Sequence, residues 1–154
     1  MRTTFLFLAF ALAAFLVCSA AEPELAVVVH KSTTVDAVSS GDLRLMILGE
    51  KSKWPDGKKV TAIETPLDSP ERALLLKTVC KMTDAVLKRY YMHAAFTGTE
   101  ISAPKEVASS EALKQFVART PGAIGCILAS DVDDTVKVLK VDGAAPGEAA
   151  YKLR

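Results

Sequence analysis

Five consecutive apolar residues, Leu25-Ala26-Val27-Val28-Val29, constrain this chain more than any other feature. A strand with one wet face alternates apolar and polar side chains, so an unbroken run has to be covered on both sides of a sheet. Residues 123–129, Ala-Ile-Gly-Cys-Ile-Leu-Ala, form a second such run, and shorter strand patterns lie at residues 60–63 and 136–141. Between these runs the spacing turns helical. Val35, Val38, Leu43, Ile47 and Leu48 recur at mixed helical spacing, with Ser39 or Ser40 as N-cap and Gly49 as terminator. Ser69 and Pro70 open a second helix, because a hydroxyl cap followed by proline puts the missing N–H where it costs least; Leu74, Leu75, Val79 and Met82 give it an apolar stripe. A helix over residues 84–95 should turn Val86, Tyr90 and either His93 or Ala94 inward, with Gly98 just beyond it and only one of Tyr90 and Tyr91 in the core. After Pro104, Ser109 or Ser110 caps a helix through Leu113, Phe116 and Val117. Strands separated by helices predict an α/β fold: a single three-layer mixed sheet with helices on both faces.

The amino-terminal segment reads differently. Residues 5–17 contain no polar residue, Arg2 precedes them, and Ser19, Ala20 and Ala21 are small, which predicts a secretory signal peptide over residues 1–21. Its apolar stretch falls short of the ~20 residues a membrane helix needs, and no second long run follows, so no membrane span is expected. Cys18 follows Phe15, Leu16 and Val17, which do not suit a lipoprotein cysteine. Export predicts a periplasmic or secreted location for residues 22–154, a length suited to one domain.

Loss of Arg2 would bring Lys+Arg from 19 to 18, equal to the 18 Asp+Glu, so nucleic-acid binding lacks its electrostatic basis. Cys80 and Cys126 leave open one disulfide or two buried thiols. His30 and His93 do not pair with each other or with the cysteines at zinc spacing, and Asp131, Asp133 and Asp134 lack the ligand loop of a calcium site and read as a polar turn. No nucleophile stands beside a base at motif spacing, so neither an enzyme nor a cofactor or metal is expected. Trp54 reads as a packing anchor under the turn Pro55-Asp56-Gly57.

Several landmarks, taken in order, resemble the phosphate-type periplasmic substrate-binding proteins of ABC transporters. They are Val27-Val28-Val29-His30-Lys31-Ser32, Leu48-Gly49, Trp54-Pro55-Asp56-Gly57, Ser69 with Arg72, Phe96-Thr97-Gly98 and Thr120-Pro121-Gly122-Ala123-Ile124-Gly125. The segments Val138-Leu139-Lys140-Val141-Asp142-Gly143 and Tyr151-Lys152-Leu153-Arg154 look like the close of the same lobe. The resemblance implies one lobe of a type 2 periplasmic binding protein, where full-length members hold their ligand between two. It also implies phosphate or another anion as ligand and a transporter or envelope protein as partner.

In that family an oxyanion sits at a helix start, where unpaired N–H groups and the helix dipole favour negative charge. The family's Ser-Gly-Thr opening reads Ser69-Pro70-Glu71 here, so one donor is gone and a carboxylate has arrived, with Asp68 beside it. Two readings stand: an anion site built on Ser69 and Arg72, or an ordinary capped helix start. Lys31 and Ser32 follow the first strand and supply either a cation and a hydroxyl to the same crevice or a solvated loop. The alternative function is a ligand-free interaction module of the envelope that kept the lobe and lost the site.

Overall fold

The computed structural model describes residues 22–154; the expected signal peptide and Cys18 lie outside the described residues. Strands β1 (Leu25–Val29), β2 (Ala37–Val38), β3 (Thr61–Glu64), β4 (Lys105–Glu106), β5 (Ala123–Leu128) and β6 (Lys137–Val141) form one sheet in the order β2-β6-β1-β5-β3-β4. The two unbroken apolar runs are its central pair, antiparallel, with Val27 opposite Cys126. Both two-residue strands, β2 and β4, lie at the edges and are too short to leave a periodic signature.

Helices α1 (Ser40–Ile47), α2 (Pro70–Leu75), α3 (Asp84–Thr97) and α4 (Ser110–Arg119) cover the sheet. The alternation of β1 decides the layers. Leu25, Val27 and Val29 enter a core with Leu43 and Ile47 of α1, Leu75 of α2 and Leu87 of α3. Ala26 and Val28 enter a second core with Leu113 and Val117 of α4. Helices therefore lie on both faces, and every residue of β1 is buried.

The caps follow the sequence closely. Ser39, Ser69 and Ser109 are the N-caps of α1, α2 and α4, each accepting an N–H with its side chain. Helix α2 runs on into a π turn, Leu76–Cys80, which ends at Lys81 in the left-handed region with φ 55°.

The Thr120-Pro121-Gly122 stop works through close backbone approach. Gly122 has φ +86°, and a Cβ there would lie 2.3 Å from the Lys59 carbonyl oxygen. Trp54, 4% exposed, donates from Nε1 to the Gly122 carbonyl at 2.9 Å, so the expected anchor locks this turn. A Cβ at Gly125 would meet Leu113 at 2.7 Å, which is how α4 settles onto β5.

Two expectations are corrected. Val86 faces outward, because the inward stripe of α3 runs through Leu87 and Ala94; of the pair His93 and Ala94, it is Ala94 that turns in. Tyr90 and Tyr91 flank that stripe and are both half-buried against the core, edge to face at 5.4 Å. Cys80 and Cys126 are buried free thiols of one core. Burial pushes both upward, Cys126 to about 12, so neither is a reactive thiolate at neutral pH.

Candidate functional site

The start of α2 is held by its own side chains. Ser69 Oγ accepts the Arg72 N–H at 3.2 Å and donates to Thr65 Oγ1 at 2.7 Å. Pro70 follows as the first helical residue. Glu71, 5% exposed, turns its carboxylate into the protein, where Ser110 Oγ at the first turn of α4 donates to it at 2.6 Å. One carboxylate thus links the starts of two helices, both of which favour negative charge at that end.

Arg72 is equally internal. At 5% exposure it forms an ion pair with Glu64, the last residue of β3 and also 5% exposed, and its Nη2 lies 3.8 Å from Asp84 at the start of α3. The guanidinium charge is balanced inside the fold. The apolar strand pattern ends at residue 63 and so leaves Glu64 outside it; the only sign of its role in the sequence is an acid at a strand end eight residues before an arginine.

Lys31 and Ser32 do not join this group. β1 runs antiparallel to β5, whereas β3 runs parallel to it, so β1 and β3 point in opposite directions. Val29 is level with Ile124, at the entry to β5, and Ile63 is level with Gly125 on the way to its exit. The turn after β1 therefore lies at the opposite end of the sheet from the turn after β3, and the shared crevice expected from sequence does not form. Ser32 is engaged locally: its N–H donates to His30 Nδ1 at 3.0 Å, and its hydroxyl lies 2.8 Å from the same nitrogen. Lys31 is exposed.

Beside Arg72 the surface opens into a pocket of about 220 Å³, lined by Leu67, Arg72, Asp84, Leu87, Lys88 and Tyr91. No local pattern in the sequence marks it, since it joins α2 and the loop before it to α3. Burial raises the Tyr91 phenol above its ordinary range, so it stays neutral, and its hydroxyl donates to the Ile47 carbonyl at 3.3 Å. Among the described residues no group of three or more His, Cys, Asp or Glu could hold a metal ion, and no helix is long and apolar enough to cross a membrane.

The sheet is mixed and carries helices on both faces, and known proteins share this fold. The chain is 29% identical over 127 residues to the phosphate-binding protein PstS of Bacillus subtilis, covering 79% of this chain and 37% of that one. Its fold matches the ABC-type phosphate transport receptor of Vibrio cholerae with a TM-score of 0.66 at 18% identity, covering 80% of this chain and 48% of the other. PstS from Borrelia burgdorferi matches with a TM-score of 0.63 at 14% identity, covering 80% and 49%. No family model matches the chain. The chain is thus similar to phosphate-binding proteins of ABC transporters and shares the fold of about half of each matched structure. It spans between about a third and a half of their length.

Proposed function

We propose that this chain is an exported, non-catalytic lobe of the cell envelope that docks to another protein and does not act as a phosphate receptor. The observation that carries this reading is Glu71, a buried carboxylate bonded to Ser110 at the helix start where the family resemblance puts an oxyanion. Two unit charges ~5 Å apart repel by roughly 3 kcal/mol at an effective dielectric near 20. A helix dipole offers only ~0.3–1 kcal/mol in return. Glu64 stands nearby on Arg72, so a ligand anion would have to enter beside two internal carboxylates. Cleavage near Ala21 and residence of residues 22–154 in the periplasm or outside the cell belong to the same reading; the amino-terminal sequence of the exported protein tests them.

Titration calorimetry of the purified protein with phosphate and with sulfate decides the ligand question. No heat is expected below millimolar concentration, and a micromolar Kd would overturn the reading.

Phosphate binding is the second reading, and one observation favours it. Arg72 Nε is buried without a hydrogen-bond partner among the described residues, while Arg72 lines the pocket. In that case Ser69 and Arg72 carry the site, and Arg72→Ala weakens binding by about 1.5–3 kcal/mol, as for a charge-assisted hydrogen bond. Lys31 and Ser32, at the far end of the sheet, would then leave affinity unchanged.

A further inference from the structure

We propose that the outer face of α3 and the pocket beside it bind an acidic, amphipathic segment of a partner protein, with one bulky apolar side chain of that segment seated in the pocket. This rests on the docking reading and names its surface and the chemistry of its partner. With Leu87 and Ala94 inward, helical spacing puts Ala85, Arg89, Met92 and Phe96 on the opposite side of α3. Phe96 is 85% exposed, Met92 53% and Val86 44%, while Leu67, 56% exposed, stands at the pocket. Isolated exposed apolar residues are ordinary; several along one helix beside a pocket mark an interaction surface.

Charge selects the partner. From residue 77 to residue 89 the chain carries Lys77, Lys81, Lys88 and Arg89 against the single carboxylate of Asp84. Among the described residues none of these four cations is in an ion pair, as is also true of Lys31, Lys53, Lys59, Lys105 and Lys140; what sets Lys88 and Arg89 apart is their place, Lys88 lining the pocket and Arg89 on the side of α3 that carries exposed Met92 and Phe96. A segment bearing Asp or Glu would complement this local excess. The pocket itself asks for an apolar group. Leu67, Leu87 and the Tyr91 ring supply apolar wall, the stem of Lys88 can add to it, and Glu64 already balances Arg72. An amphipathic helix or turn that places a Leu, Phe or Trp in such a recess with acids on its flanks is a recurrent recognition mode. A lipid surface fits less well, because a flat bilayer fills no recess and each nearby cation adds only ~1 kcal/mol.

A displayed library of random 12-residue peptides, selected on the purified protein, tests the surface. The winners are then synthesised and their affinities measured by fluorescence anisotropy. Winners should carry a bulky apolar residue flanked by Asp or Glu, and their binding should weaken as salt rises. Replacing Lys88 and Arg89 together by Glu should cost roughly tenfold or more in affinity, as for charges across an interface. Phe96→Ser should weaken binding about severalfold, while Lys31→Glu, at the far end of the sheet, should change nothing. Winners without acids, or winners insensitive to the Lys88/Arg89 and Phe96 changes, overturn this surface and leave the docking reading standing. Binding to vesicles of phosphatidylglycerol and phosphatidylcholine, with no peptide selected, overturns it in favour of a membrane. No winners and a micromolar phosphate Kd from the same preparation overturn both readings.

Discussion

Helices α2 and α3 meet at one pocket, yet the start of α2 and the outer face of α3 are built on opposite plans. At the start of α2 the polar groups turn inward: Ser69 on Thr65, Glu71 on Ser110, Arg72 on Glu64. On α3, Met92 and Phe96 reach solvent, and Lys88 and Arg89 form no ion pair among the described residues. A closed polar cluster contributes to folding specificity and holds elements together, whereas an open apolar and cationic face has interactions still to make. The place where the family resemblance puts a ligand is therefore the less available of the two.

Removing one partner from the closed cluster should have the largest effect. Glu64→Ala leaves buried Arg72 with only the more distant, partly exposed Asp84 at 3.8 Å, and urea unfolding should show a loss of about 3 kcal/mol. A loss below about 1 kcal/mol would mean that the pair is not closed in solution. Ser69→Ala comes next, with about 1 kcal/mol lost through the N-cap. Its unfolding midpoint, compared with that of Ser109→Ala at the start of α4, shows whether the Thr65 bond adds anything to an ordinary cap. The open face should respond least. Phe96→Ser and Met92→Ser are expected to stay within about 0.5 kcal/mol of the parent in stability, as substitutions away from packed contacts do. A larger loss would show that α3 is buried in solution by something, including a second copy of the chain.

Much of the fold was legible because its signals are local. The β1 run could be satisfied only inside a covered sheet, and Ser-Pro or Gly at an element boundary acts within a few residues of itself. Strand direction is not local. Nothing in Val27-Val28-Val29-His30 says which way β1 runs relative to β3, so Lys31 and Ser32 were grouped with Ser69 although the sheet holds them at opposite ends. The α3 stripe failed for a subtler reason. Val86 and Leu87 are adjacent and both apolar, and the choice between them was made by packing on the core, which accepts Leu87 at 1% exposure. The arrival of a carboxylate at residue 71 was legible, but its inward turn was not, because Ser110 is 39 residues away.

On the docking reading, the internal carboxylate of Glu71 stands in place of an oxyanion at the start of α2. Phosphate should be titrated by calorimetry into the native protein and into a variant carrying Pro70→Gly with Glu71→Thr, which restores the Ser-Gly-Thr opening and removes the internal charge. Circular dichroism of the variant should first confirm an unchanged fold. Heat is expected from the variant at lower phosphate concentration than from the native protein, which should give none below millimolar. Micromolar binding by the native protein, equalled or exceeded in affinity over the variant, would contradict it.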